Sequence, residues 1–516
     1  MSSSSARRVA AAGRSSSTSV SVVLGVDVGT TQAKALAVDA EGRTWGAGAA
    51  PCELRSPGPR IAVQDWEQLR AAASQAIRRA AGEAKAQGAK IDGISLGTAM
   101  HALTGVSAAG EPLTPLITWA DTRACEQAER LADGVGNLRR QRRTGTPSHA
   151  MMPLAKLVWL REQLPEVFRA TRRWVGIKEL MLSFLTGSWL VDYSCASGTG
   201  MFDLRALDWD PEAMDIAGVR RELLCDPVPT TSVAGELLAG VAAELELAPG
   251  IPVVAGAGDG PLANLGVGAV SPGIAAVSIG TSGALRVTLG EPAVDKCATL
   301  FCYALTDNLW TTGGAINNGG AAVDWLAAAV APELSHDRRY ALLDEALAAP
   351  PGSDGLIMLP YLYGERAPYW DAQARGAFVG LTSRHRRPHL VRATLEGVCQ
   401  QLALILESVR EAGHPVHEIR ATGGFAQSAV WRQVLADALG QAITFTAGPR
   451  GSSFGAAVLG LHALGMIESI DESARWIKVD EIRESDESSR VALSGLRSTF
   501  ASLYQALKPA FRELQT

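Results

Sequence analysis

A chain of 516 residues is longer than one compact hydrophobic core supports, so two lobes of about 250 residues are expected, or three ordinary domains. With 47% hydrophobic and 20% charged residues it has the composition of a globular protein, and no run of about 18 apolar residues offers a membrane span. The net charge is −5 and the basic residues are scattered, which excludes the footprint of a nucleic-acid-binding protein and leaves a small molecule as the expected partner. Seven cysteines with no C-x-x-C pair suggest neither a disulfide framework nor a zinc ribbon, so reduced thiols in the cytoplasm are expected.

Residues 1–20 are rich in Ser and Ala, with Arg7, Arg8 and Arg14 and no acid, and read as a disordered tail or a transit peptide. Val22 to Val38 predicts a strand, a Gly29-Thr30-Thr31 turn and a second strand, with Asp27 near the end of the first apolar run. A helix from Trp66 to Lys85 and a strand from Ile91 to Leu96 follow, the order of an α/β domain. Met151 to Gln163 predicts an amphipathic helix in which Lys156 and Trp159 serve structure. Ile251 to Gly260 predicts a buried strand running into small residues, with Asp259 as its only charge. From Ala275 to Val287 the plan of the first hairpin recurs, with Gly280-Thr281-Ser282 at its tip. A third glycine cluster, Gly423-Gly424-Phe425-Ala426-Gln427-Ser428, separates a strand at Glu418 to Thr422 from a helix at Ala429 to Leu439. His414 and His417 are expected in an exposed loop, and His385 and His389 on a solvated face. The stretch from Asp471 onward, acidic and then helical, suits either lobe.

A phosphate chain needs donors close to its oxygens; glycine turns let backbone N–H groups approach, and Thr and Ser hydroxyls add more. Two facing hairpins could hold one triphosphate through Gly29, Thr30, Thr31, Gly280, Thr281 and Ser282, with Lys34 neutralising charge. Mg²⁺ is held through one or two carboxylates, waters and phosphates, which suits Asp27. Gly423, Gly424 and Gln427 form either a nucleoside seat at a helix N-terminus or a tight strand-to-helix connection. Asp259 suits the base that accepts a hydroxyl proton during phosphoryl transfer, and equally the cap of the following helix; the two roles are compatible.

These residues, with Met151 to Gln163 and the segment Gly376 to Leu381 continuing to His389-Leu390 and Ala393 to Glu396, resemble the FGGY carbohydrate kinases over roughly Val22 to Leu464. The resemblance implies a two-lobed α/β fold, actin-like and ribonuclease-H-like, with ATP and sugar meeting in the interlobe cleft. It implies lobes at 21–270 and 271–470 with a helical segment at 471–516, and ATP and Mg²⁺ as cofactors. It makes Asp259 the catalytic base and puts Asp27, with Asp259, beside the metal. Ala99 to Leu103, Pro115 to Arg123 and Asp259 to Gly268 look like the gluconokinase branch and, more loosely, xylulokinases. That likeness places Met100, His101, Trp119, Asp121, Arg123 and Asp259 at the substrate. A sugar acid needs a cation for its carboxylate, for which Arg123 is the first expectation and Arg366 the second. Phe425 and Gln427 stand where many relatives have Gly and Lys or Asn. The expected partner is a sugar acid or sugar, with a homodimer as the assembly to test. The rival reading, from another class, is an actin- or chaperone-like ATPase of the same fold.

Overall fold

The computed structural model describes residues 19–334, 339–447 and 451–514, so positions 1–18 of the expected tail lie outside the described residues. Small and β-branched residues from Val20 to Val28 build a strand whose interior is buried on both faces, and Gly29 closes the turn that follows by donating its N–H to the Gln32 carbonyl at 3.1 Å. The chain returns antiparallel as Gln32–Val38, then again as Thr44–Pro51. Helix Trp66–Ala86, capped by Asp65, crosses to strand Ala89–Thr98, which lies parallel to the first. Strand Pro252–Gly258 extends the parallel set, and Val233–Glu236 closes a six-stranded sheet.

The second lobe repeats this plan. Ile274–Ile279, Gly283–Leu289 and Trp310–Ile316 form the antiparallel meander, and Glu418–Thr422 and Ile443–Thr446 the parallel pair. Phe301–Ala304 and Val479–Arg483 complete seven strands. In both sheets the shared five strands run in the order third, second, first, fourth, fifth, which is the ribonuclease-H-like arrangement of the actin-like ATPases.

Packing places two stretches of the chain. Helix Ser452–Ala463, placed with the second lobe on sequence, packs on the first lobe's sheet, where Phe454, Val458 and Leu461 share a core with Val23, Val38 and Leu262. The stretch after Asp471 belongs to the second lobe and is not a separate helical segment: its strand pairs with Ile443–Thr446, and its last helix, Glu487–Glu513, buries Leu493, Phe500, Tyr504 and Phe511 there. The helix Pro153–Gln163 is also buried on more than one face rather than amphipathic. It carries Lys156 beneath the loops of the site, where Nζ donates to the carbonyls of His101, Ile117 and Thr118 at 2.6, 3.1 and 2.8 Å. No helix among the described residues is long and apolar enough to cross a membrane.

The contact between Ser452–Ala463 and the first sheet is made by backbone meeting backbone. A methyl group on Gly25 would overlap the Ser453 carbonyl oxygen and the Ala457 nitrogen, and one on Gly455 would overlap the Leu262 carbonyl. Gly25→Ala is therefore expected to cost about 1–3 kcal/mol as the helix is pushed outward, seen as a lowered thermal midpoint. An unchanged midpoint would show that the helix can move away freely.

Candidate active site

The strands Pro252–Gly258, Ala89–Thr98 and Val20–Val28 are parallel neighbours, so their carboxyl ends meet at one edge of the sheet, where ligands of open α/β sheets bind. Asp27 pairs across to Gly97, and Gly258, the residue before Asp259, pairs to Thr98. The two acids thus flank the end of the middle strand. The register shifts between Val254 and Ala257, with Gly256 at a φ of +72°. Lys178 secures this irregular stretch, its Nζ donating to Leu96, Ala255 and Ala257 carbonyls at 2.6, 2.6 and 3.2 Å while lying 3.4 Å from Asp192. Asp259 opens the helix Asp259–Gly266, with Gly258 as cap, and its Oδ1 accepts the Gly260 N–H at 2.8 Å.

Withdrawal from water and then the charge of Asp259 push the Asp27 carboxyl up to about 7, against the opposing pull of Lys34 and the Ser452 hydroxyl. Asp27 Oδ1 is enclosed and has no hydrogen-bond partner. Asp259 is raised as well, by desolvation, against the pull of Arg286 and the Gly260 amide.

A cavity of about 340 Å³ between the lobes is bordered by Thr30 and Thr31 of the first hairpin and by Gly280, Thr281 and Ser282 of the second, so the two glycine turns do face one space. Met100, His101, Trp119 and Asp259 border it too. Trp119 donates its Nε1–H to Thr30 Oγ1 at 2.9 Å, tying its loop to the first hairpin. His101 holds a left-handed φ of +68°, and its Nδ1 lies 2.7 Å from the Gly198 carbonyl. Burial drives its pKa down to about 3, so the ring is neutral; because a carbonyl only accepts, Nδ1 carries the proton and Nε2 is an acceptor.

Asp121 and Arg123 are not among the residues bordering this cavity. Asp121 is 1% exposed and accepts the Ala62 N–H, while Arg123 pairs with it at 2.8 Å and lies over the Trp159 ring. The expected carboxylate clamp at Arg123 is thus committed to a structural pair, and the second expectation, Arg366, borders the cavity instead. Gly29 forms the hairpin turn behind Thr30, and Lys34, exposed on the neighbouring strand, stands opposite Asp27 in register. Gly423, Gly424 and Gln427 are exposed and lie outside the cavity; Gly423, at a φ of +123°, packs its Cα on the Ile279 backbone just before Gly280. That close approach sets the third glycine cluster beside the second hairpin.

Among the cavity residues not singled out from sequence are Arg286, Phe301, Tyr303 and Trp370. Phe301 and Tyr303 stack at 4.3 Å, and His101 lies 5.7 Å from Tyr303. Arg286 Nη1 and Arg366 Nε are enclosed without a hydrogen-bond partner. Burial lowers the pKa of Arg286 against the pull of Asp259, and brings that of Arg366 down to about 10 against the pull of Glu365. Arg366 donates to the Ile316 carbonyl at 2.7 Å and lies over the Trp119 ring. Arg286 had a legible signal: it is the one charge in the buried strand Gly283–Leu289, the same mark that drew attention to Asp259.

Such a site, with paired Gly-Thr turns, two enclosed carboxylates and two enclosed guanidinium groups, can hold a phosphate chain and deprotonate an alcohol. Residues 22–266 match the N-terminal domain of the FGGY family of carbohydrate kinases and residues 275–464 its C-terminal domain. The chain is 37% identical to the gluconokinase of Bacillus subtilis (strain 168) over 502 residues, covering 96% of this chain and 98% of that one. It is 31% identical to the xylulose kinase of Escherichia coli (strain K12), covering 94% and 99%. Among solved structures, the gluconate kinase of Lactobacillus acidophilus superposes with a TM-score of 0.89 at 32% identity over 96% of this chain and 100% of that chain. A ligand-bound xylulose kinase from the same organism gives a TM-score of 0.90 at 32% identity over the same shares of the two chains. The chain belongs to the FGGY family of carbohydrate kinases.

Proposed function

We propose that this carbohydrate kinase transfers the γ-phosphoryl group of ATP to the terminal hydroxyl of D-gluconate, giving 6-phospho-D-gluconate and ADP. The observation that carries the reading is the enclosed Arg366 guanidinium, whose Nε has no partner, in the cavity that holds Asp259: a carboxylate-bearing substrate supplies an anion to Arg366, as the γ-phosphoryl group does to Arg286. The likeness to gluconokinases supports it. Arg286 pulls harder on the Asp259 carboxylate than Arg366 does, so Arg286 faces the reacting end and Arg366 receives the acid group of the sugar. His101 Nε2 accepts from a hydroxyl between them. A neutral ketosugar is the second reading, favoured by the equal structural likeness to the ligand-bound xylulose kinase.

In the reaction, Asp259 takes the hydroxyl proton as the acceptor oxygen bonds to the γ-phosphorus; the bond from that phosphorus to its bridging oxygen breaks, and ADP leaves with the oxygen. A raised pKa suits Asp259 to this exchange. Thr30, Thr31, Thr281 and Ser282 offer hydroxyls to the phosphates, and Gly423, Gly424 and Gln427 offer the adjoining surface to the nucleoside. Asp27 fits a divalent cation: its Oδ1 lacks any partner, and a second acid already makes its charge costly. Asp27, with Asp259, would stand at the edge of an ion held mainly by phosphate and water. Mg²⁺, when bound there, neutralises charge on the phosphate oxygens.

ATP-dependent turnover of D-gluconate, D-xylulose, glycerol and a sugar-free control, with wild type and Asp259→Asn side by side, tests the reading. Gluconate should be preferred, and the variant should lose about 10²- to 10⁴-fold in kcat with little change in binding. Preference for another sugar would overturn the substrate; near-full activity of Asp259→Asn would overturn the base. Arg366→Gln is expected to raise the KM for gluconate by about 10- to 100-fold, the loss of a charge-assisted hydrogen bond, and that for D-xylulose far less. An equal effect on both sugars would remove Arg366 from the acid group.

The neutrality of the histidines near the cavity also governs stability. His149, 4% exposed, is driven down to about 3 by burial and then by Arg366 and Lys156. Its folded pKa lies below the ordinary value of 6.5, so the unfolded chain binds the extra proton, and this contribution to stability is lost as pH falls from about 6.5 toward 3. Asp27 and Glu179, both raised to about 7, act in the opposite direction above pH 4. Comparison with His149→Gln isolates the histidine: between pH 6.5 and 5 the wild-type midpoint should fall relative to that of the variant. Parallel curves would mean that His149 titrates normally.

A further inference from the structure

The loop from Leu362 to Gly376 supplies two walls of the cavity, Arg366 and Trp370, yet it is held from outside by the last helix, which lies beyond the part of the chain that matches the family. Trp370 has a φ of +52°, a conformation that a bulky side chain adopts only when its surroundings impose it. The residue after it makes the ties. The Asp371 carbonyl accepts the Glu365 N–H at 2.8 Å, its Oδ1 accepts the Gln373 N–H at 2.8 Å, and its Oδ2 accepts the Tyr504 hydroxyl at 2.7 Å. Tyr504 is 1% exposed and stacks on Tyr369, the residue before Trp370, with ring centroids 3.8 Å apart and planes 17° from parallel. One side chain of the last helix therefore grips the residues on both sides of Trp370. On the cavity side the indole is steadied by its Nε1–H bond to the Thr299 carbonyl at 2.7 Å and by the edge of His149.

We propose that Tyr504 is a positioning residue for the acceptor sugar, acting through Asp371 and Tyr369 to fix Trp370 and Arg366 in the geometry that receives the substrate. The proposal rests on the reading of this cavity as the sugar site and not on which sugar fills it. Without the hydroxyl, one oxygen of the half-buried Asp371 loses its donor, and the left-handed turn at Trp370 loses a restraint. Its relaxed form places the indole and guanidinium away from the sugar. Among the described residues, the hydrogen bonds of Asp371 and the ring contacts of Tyr504 and Tyr369 do not reach the two hairpins or the Gly423 cluster, so the nucleotide side keeps its affinity.

Tyr504→Phe removes the hydroxyl and keeps the stacked ring, so the fold survives. With whichever sugar the wild-type enzyme phosphorylates best, the variant should show a KM for that sugar raised by about three- to tenfold, with kcat within about twofold and the KM for ATP unchanged. A purely structural role would instead lower the thermal midpoint and the active fraction, leaving the sugar KM as it was; that result, or equal rises in both KM values, overturns the proposal. The route through Asp371 is read from a second variant: Tyr504→Phe combined with Asp371→Ala should raise the KM no further than Asp371→Ala alone, whereas additive effects would show that Tyr504 works by another path. Independently of activity, hydrogen exchange at the amides of Glu365 and Gln373, which are tied to Asp371, should quicken in Tyr504→Phe, and unchanged protection there would equally count against it.

Discussion

The site is organised around a charge that is expensive to hold. Asp27 and Asp259 stand on either side of one strand end, and the charge of Asp259 together with poor hydration takes the Asp27 carboxyl to about 7. Arranged this way, carboxylates invite cations, because in a medium of low dielectric an approaching positive charge recovers much of what desolvation cost. The nearest permanent cations in the cavity, Arg286 and Arg366, come from the other lobe. The acids therefore belong to one side of the cleft and the guanidinium groups to the other, and each set is incomplete without the facing lobe or a ligand.

Holding such groups in place requires rigid supports that do not add unbalanced charge. Two enclosed lysines provide them. Lys178 and Lys156 each donate to three main-chain carbonyls, the first behind the Asp259 strand and the second behind His101 and the turn that leads to Trp119. Carbonyl groups left over by a bulged strand and a left-handed turn need donors, and an ammonium group reaches three at once from a single side chain. The glycine-lined seat of Ser452–Ala463 adds a further support, since that helix starts with Ser452 at Asp27 and its packing residues come from both halves of the chain.

What was legible in the sequence was local. Gly-Thr-Thr and Gly-Thr-Ser sit between apolar runs, and the strands and turns formed where those patterns lay; the helix Ala429–Leu439 matches its expected bounds. Asp259 stood out as a lone charge among small residues. The same rule applies to Arg286, the one charge in the buried strand Gly283–Leu289, but it was not applied there. Arg123 was favoured because it lies in the segment most similar to sugar-binding relatives, but sequence could not show that Asp121, two residues earlier, would fold back to receive it. The course of the chain after Ala463 depended on which sheet had an edge to fill, a tertiary fact: Ile443–Thr446 was left with one free side, and Val479–Arg483 took it.

The two lobes share a strand order and a hairpin, yet their chemistry differs at one aligned position. Counting back from the Gly-Thr turn, Asp27 of the first hairpin corresponds to Ser278 of the second, and Ser278 also borders the cavity. A duplicated acid there would put a third carboxylate beside Asp27 and Asp259, and in the proposed reaction around a phosphate chain that itself carries several negative charges. A hydroxyl in that position can donate to a phosphate oxygen and adds no charge. Repetition of the fold thus set two Gly-Thr turns facing one space, and the loss of symmetry at Asp27 and Ser278 divides the work in the proposed reaction: one hairpin would offer a carboxylate to a cation, the other only hydrogen bonds to the phosphates.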